Sequence, residues 1–395
     1  MVERRPVLDW AKDWDHLGRQ YHEQAIEVWS DLRERSPIAH TDRFGRAWMP
    51  VRFEDIAAVA HDTTRFSSLE VNLFDVKPER MLTLPPIMLD PPDHAAHRRL
   101  MLPRFTPTAV AELIPVTEAL CHRLLDRIAD AGRADAGIDY AQHVPVLITA
   151  KLLGLPDADA DQFRAWIHDI IELGFTDPEA NQRASREVLA YFNDQLEDRR
   201  ERGGDDLTAW LAHAHLGDSP LPPRTQAAML FLLLIGGIDT TWTTLGAALY
   251  HFATHPEDQA RLRAEPELLD SAIEEVLRFY APVEIGRIVT QNTELAGRSV
   301  SAGDHVWLSY PAANRDPEAF DEADRFIIDR EHNRHLAFGV GVHRCLGSNL
   351  ARMELQVAVR TWFERIPTFE LDPTRPVGFT QGGTVRGPRV IPLRF

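Results

Sequence analysis

The run AAMLFLLLIGGI, residues 227–238, limits what this chain can become more than any other stretch. It sits inside one helical pattern from about residue 222 to 255 and is apolar on every side. A helix that is hydrophobic all round is buried, either in the core of a large protein or in a membrane. Twelve residues fall short of the roughly 20 that span a bilayer, which predicts a buried central helix. The rest of the chain must then wrap it.

Four residues in and beside this run are out of keeping with simple core packing. Gly236 and Gly237 each cost about 1 kcal/mol in a helix interior. Asp239 is an acid in an apolar setting, costly unless paired. Thr240 stands four residues after Gly236, so its hydroxyl can bond the Gly236 carbonyl and loosen the helix. The combination predicts a local bulge, a bare backbone groove and a polar pair facing it. A glycine packing contact with a solvent-facing Asp239 would use the same residues.

Around that helix the pattern is mostly helical, with strands near both ends and after a helix at 266–280. "GRAWMPVR" reads as a strand, "FEDIAAVAHD" as a helix, and "IGRIVT" and "HVWLSY" as short strands around a Gly turn. "KPERMLTLPPIMLDPP" reads as an ordered loop, and "TFELDP" and "PRVIPLRF" as closing strands. The 395 residues show no repeat and no clean linker, so residues 1–395 are read as one domain. A net charge of −17 argues against nucleic acid and anionic membrane surfaces as partners. The start, "MVERRPVLDWAKDWDH", has no apolar leader core. Only Cys121 and Cys345 are present, which rules out a disulfide framework and a Cys-rich zinc site and fits a reducing cytoplasm.

Cys345 lies in "FGVGVHRCLG", residues 338–347, just before the amphipathic helix pattern "LGSNLARMELQVAVRTWFERI". A helix N-terminus favours thiolate over thiol, and glycines let backbone amides approach the sulfur. The residues alone allow a buried cysteine at a helix start, a nucleophile with His343 nearby, or one stabilised thiolate for a metal. Zinc through His343 and Cys345 fits poorly, because no second ligand pair stands at suitable spacing.

The whole pattern, Phe-Gly-x-Gly-x-His-x-Cys-x-Gly, resembles the haem-ligand loop of the cytochrome P450 family. The other family marks occur in order from roughly residue 40 to the C-terminus. The resemblance implies a mainly α fold with small β-sheets. Haem b (iron protoporphyrin IX) would lie between the central helix and the helix after the cysteine loop. Cys345 becomes the iron ligand, with Phe338 beside the haem. "GGIDT" resembles the family's oxygen-activating motif: Asp239 gates protons, Thr240 helps deliver them, and Gly236 leaves room for oxygen. "DPPDHAAHRR" supplies His94 and Arg98 to the haem propionates, joined by Arg287 of "GRIVT" and by His343. Glu275 and Arg278 of "EEVLR" match a structural pair, with Arg325 of "ADRF" as its third member. Ile285 stands where some relatives carry an acid, and it is read as pocket wall. His335 is read as a surface or satisfied histidine.

The implied activity is insertion of one atom of O2 into a small apolar organic substrate, by hydroxylation or O-/S-dealkylation. Electrons would come from a separate ferredoxin and its NAD(P)H-dependent reductase, since no flavin or iron–sulfur segment is visible. Arg99, Arg104, Arg344 and Arg352 form the expected docking patch. Phe74, Ile87, Ile171, Phe175, Leu233, Val283 and Ile285, with the "QGGT" turn, form the expected pocket. "AANRDP", "EHNRH", "CLGSNLARME" and "GTVRGPR" are similar to a bacterial branch often fused to its reductase, which points to aromatic or xenobiotic substrates. A catalytically silent haem sensor or recruitment module and a cysteine hydrolase are the alternatives. Both leave much of the pattern idle.

Overall fold

The computed structural model describes residues 4–73, 82–175, 177–380 and 383–395. Four helices frame its centre: α1 (Asp93–Met101), α2 (Pro223–Thr254), α3 (Leu269–Phe279) and α4 (Ser348–Arg365). α2 carries the apolar run and fills the expected span almost to the residue. Pro223 opens it, where a missing N–H costs nothing. By length and composition α2 could cross a membrane, yet 61% of its most apolar window is buried inside the protein.

α2 is enclosed on all sides from Gln226 to Phe231 and from Thr243 to Leu249, but not between them. Leu233, Gly236, Gly237 and Thr240 are partly or fully open, and their spacing puts them on one face. The predicted bulge is absent. Thr240 Oγ1 donates to the Gly236 carbonyl at 3.0 Å while the helix runs on unbroken. At Gly236 the face looks onto open space: a Cβ there would meet nothing within 4 Å among the described residues.

Five strands form the main sheet: β1 (Ile38–Thr41), β2 (Ala47–Pro50), β3 (Phe66–Ser67), β4 (Glu284–Val289) and β5 (His305–Ser309). Their order is β1-β2-β5-β4-β3, with only β2 and β5 parallel. β4 and β5 are the two strands expected from "IGRIVT" and "HVWLSY", and Arg287 lies opposite Val306. The expected closing strands appear as Glu370–Leu371, Pro388–Val390 and Pro392–Arg394. Pro388–Val390 pairs with Gly378–Phe379, while Pro392–Arg394 sits between Glu370–Leu371 and Arg133–Asp135.

Among the described residues, three apolar cores divide the interior. The largest surrounds α2 and α4. The second joins the helix Arg19–Arg35 to the sheet, and the third lies between the helix Phe53–His61 and strands β4 and β5. Of the expected pocket residues, Ile171 and Leu233 border the first core, Phe175 the second, and Val283 and Ile285 the third. All five, and Ile87, are partly open. Phe74, residues 77–81 of the expected ordered loop, and Gln381 and Gly382 of the "QGGT" turn lie outside the described residues.

Candidate active site

The cysteine loop is held by its own backbone. The Cys345 N–H donates to the Phe338 carbonyl at 2.7 Å, and Arg344 N–H to Gly341 O at 3.1 Å. Gly341 is required twice over: its φ is +76°, and a Cβ would lie 2.7 Å from the Ala60 carbonyl. Cys345 is a free, exposed cysteine three residues before the start of α4 at Ser348. Although its surface is open, the surrounding protein pushes its thiol up. The Gly347 N–H on the sulfur opposes this, as do the charges of Arg98, Arg344 and Arg352. Phe338 and Leu346 of the loop border the same core as Leu233 and Ile235 of α2.

Beside the loop stands a group of donors, with the Asp90 carboxylate near enough to act on His94 and Arg287 by its charge. The His94 and His343 rings are 4.2 Å apart at 53°. Nε2 of each is buried and has no hydrogen-bond partner among the described residues. Arg287 is buried, and among the described residues its guanidinium reaches only the neighbouring Gly286 carbonyl, at 2.7 Å. Arg98 donates to the Arg344 carbonyl at 2.6 Å. Burial and the nearby Arg287, His94 and Arg98 press the His343 imidazole down to about 3. Burial and Arg98 lower His94 as well. Orphaned buried ring nitrogens, and a buried guanidinium with one hydrogen bond among the described residues, are costly unless an anion meets them. This donor set fits a group carrying two carboxylates, as haem does. The structure thus brings His94, Arg98, Arg287 and His343 together.

Asp239 is buried and does not face solvent. Arg389, from the strand Pro388–Val390, holds its Oδ1, while Oδ2 is buried without a hydrogen-bond partner among the described residues. Arg389 also makes an ion pair with Glu172 at 3.4 Å and lies 4.1 Å from the centre of the Trp242 ring. Burial raises the Asp239 carboxyl; Arg389 lowers it, Glu172 raises it, and the net shift is upward. The demand for a partner was readable in the sequence. Its identity was not, because Arg389 is one of many arginines and stands far away in the chain.

The structural pair forms with a different third member. Arg278 binds Glu275 through two bonds of 2.8 and 2.7 Å, both residues fully buried. Arg330, not Arg325, completes it, with Nε 3.1 Å from both Glu275 oxygens. Arg325 offers only its carbonyl to Arg278, and its side chain pairs with Glu322 at the surface. Residues 321–334 are irregular, so no periodicity marks which arginine turns inward. Arg352 is likewise bound, bidentately, to Glu274, and so is no free docking cation. His335 is satisfied by Glu274 at 3.1 Å. Ile285 shares a face of β4 with Arg287. The adjoining acid, Glu284, is buried on Tyr21 at 2.7 Å.

An open cysteine sulfur, a cage of donors suited to two carboxylates and a notched apolar helix together define a haem-binding oxidoreductase. The Cytochrome P450 family model matches residues 179–378. The mycinamicin IV hydroxylase/epoxidase of Micromonospora griseorubida is 34% identical, over 92% of this chain and 94% of that protein. The nocardicin C N-oxygenase of Nocardia uniformis is 35% identical, over 92% of each chain. The solved structure of CYP109E1 from Bacillus megaterium, in complex with testosterone, superposes with a TM-score of 0.88 at 29% identity. It covers 95% of this chain and 99% of its own. The chain belongs to the cytochrome P450 family. It is a haem-dependent monooxygenase of the bacterial kind, using O2, an organic substrate and redox partner proteins.

Proposed function

We propose that Cys345 is the thiolate ligand of the haem iron, and that His94, Arg98, Arg287 and His343 hold the haem carboxylates. The observation that carries this reading is an open cysteine, its amide fixed by Phe338, beside two histidines whose buried Nε2 atoms have no hydrogen-bond partner among the described residues, with Arg98 and Arg287 next to them. When bound, the haem supplies oxygen activation, which thiolate ligation favours by promoting O–O cleavage. The protein's part is placement and proton control. Gly236 leaves space on α2. The Thr240 hydroxyl spends its hydrogen on the Gly236 carbonyl and keeps its lone pairs for an incoming donor. Asp239 keeps one oxygen on Arg389 and offers Oδ2 as the atom that takes and gives a proton.

The substrate is an apolar organic molecule, positioned by Ile87, Ile171, Phe175, Leu233, Val283 and Ile285. Support comes from their apolar character and partial exposure at the edges of the cores. Relatives named for mycinamicin IV, nocardicin C and 6-deoxyerythronolide B widen the search from small aromatic ethers to natural-product scaffolds. Electrons come from a ferredoxin docking where Arg99 and Arg344 are exposed and Arg104 is half-buried. Trp210, 45% exposed and 5.9 Å from the Arg104 guanidinium, adds an aromatic anchor that the sequence did not reveal. The 1–395 unit works as one haem domain in the cytoplasm, in keeping with two free cysteines. The test is the absorption spectrum of the reduced protein under carbon monoxide. A Soret band at the thiolate position is expected, and a Cys345→Ser protein should lose it. A histidine-type band in the unmodified protein would overturn the ligand assignment.

A further inference from the structure

Arg352 projects from α4 and spends its planar fork on Glu274 of α3, with Nε–Oε1 2.5 Å and Nη2–Oε2 2.8 Å. Its guanidinium carbon also lies 4.6 Å from the centre of the Phe338 ring. A cation over an aromatic face is attracted to it, and the gain grows as water is excluded. Glu274 has a further partner. His335 Nδ1 accepts the Ala337 N–H at 3.2 Å, so its protonated Nε2 donates to Glu274 at 3.1 Å. Glu274 therefore ties together α3, α4 and the segment leading into the cysteine loop.

The ring that Arg352 covers belongs to the residue whose carbonyl fixes the Cys345 amide. Burial opposes ionisation of Glu274, but hydrogen bonds from Arg352 and His335 outweigh it and bring the carboxyl to about 2. The carboxylate is thus charged across the working pH range. Arg352 and Glu274 are 26% and 30% exposed, so the pair is held by contacts yet not sealed from the surface.

We propose that Glu274 and Arg352 are positioning residues that set the donor strength of the Cys345 thiolate, with Phe338 holding the arginine in place beside the loop. The proposal rests on Cys345 being the haem ligand. Partners of a metal ligand tune the metal by charge and hydrogen bonding. Here the two partners carry opposite charges, so they act with opposite signs. Reduction adds negative charge at the haem. Removing the Glu274 charge leaves Arg352 uncompensated and favours the reduced form. Removing the Arg352 charge leaves the carboxylate with His335 as its remaining partner and disfavours it.

The experiment is a redox titration of the haem-loaded full chain, with the carbon monoxide spectrum recorded on each variant. Glu274→Gln should shift the reduction potential to more positive values, and Arg352→Gln to more negative values. Arg352→Lys keeps the charge and should return most of the way to the unmodified potential. In a Phe338→Leu background, where Arg352 loses its seat, the separation between the Gln variants should fall to about half or less, a non-additivity expected of coupled neighbours. A pair that only stiffened the fold would move both variants the same way, or neither, and that result overturns the proposal. An undiminished separation without Phe338 overturns the part given to the ring. A histidine-type band in the unmodified chain would instead sink the ligand assignment, so the two failures are distinguishable.

Discussion

Arg389, close to the C-terminus, clamps Asp239 in the middle of α2 across 150 residues of chain. The contact turns a buried acid from a liability into a controlled one. One carboxylate oxygen is committed to the guanidinium, and the other is buried without a hydrogen-bond partner among the described residues.

Replacing Asp239 with Asn removes the proton site and keeps the shape. Turnover of the first substrate identified should fall about 100-fold, the low end of general acid–base contributions. Substrate-induced spin-state titration should show binding within about threefold of the unmodified chain. A turnover rate that survives the change would take Asp239 out of proton delivery.

Arg389→Met leaves Asp239 buried and unpaired. Loss of one partner of a buried pair costs about 3–5 kcal/mol. The sign of its pH dependence follows from the raised carboxyl. An acid whose folded pKa exceeds its unfolded value loses stability as pH rises from the unfolded value through the folded one. The deficit of the variant should therefore shrink in mild acid and grow toward neutral pH. Adding Asp239→Asn should recover most of it. Urea denaturation at several pH values reads both effects.

The two candidate arginines near Glu275 separate cleanly. Arg330→Ala should cost about 3–5 kcal/mol, because it leaves a buried, charge-bearing network short of a partner. Arg325→Ala should stay within about 0.5 kcal/mol, since it touches a surface pair and leaves the carbonyl in place. Equal losses in thermal or urea unfolding would contradict the geometry.

His22 should make the chain sensitive to acid. Burial, and then the nearby Arg386, lowers its imidazole from the ordinary value of 6.5 to about 4. Its folded pKa lies below the unfolded one, so its contribution is complete above about 6.5 and is lost as pH falls toward 4. The full shift would correspond to up to about 3 kcal/mol, and the group's partial exposure reduces that. His22→Gln keeps a donor for the His16 carbonyl, 2.8 Å away, and should flatten the fall in urea midpoint between those pH values.

The sequence by itself determined the parts whose cause is local. The apolar run dictated α2, because nothing but burial satisfies it. Turn glycines and alternation dictated β4 and β5, and the glycine-spaced cysteine loop dictated where a thiolate would stand. Tertiary structure alone decided which charges meet. Asp239 took Arg389 from a distant strand, Glu275 took Arg330 in preference to Arg325 five residues before it, and Arg352 was bound to Glu274. The open middle of α2 was likewise a tertiary outcome: the elements packed around the helix leave the face at Gly236 uncovered among the described residues. The physical reason is one of range. Periodicity and turn chemistry act between residues a few positions apart, whereas a buried charge is satisfied by whichever partner the packing brings within about 3 Å, and sequence separation does not enter into that choice.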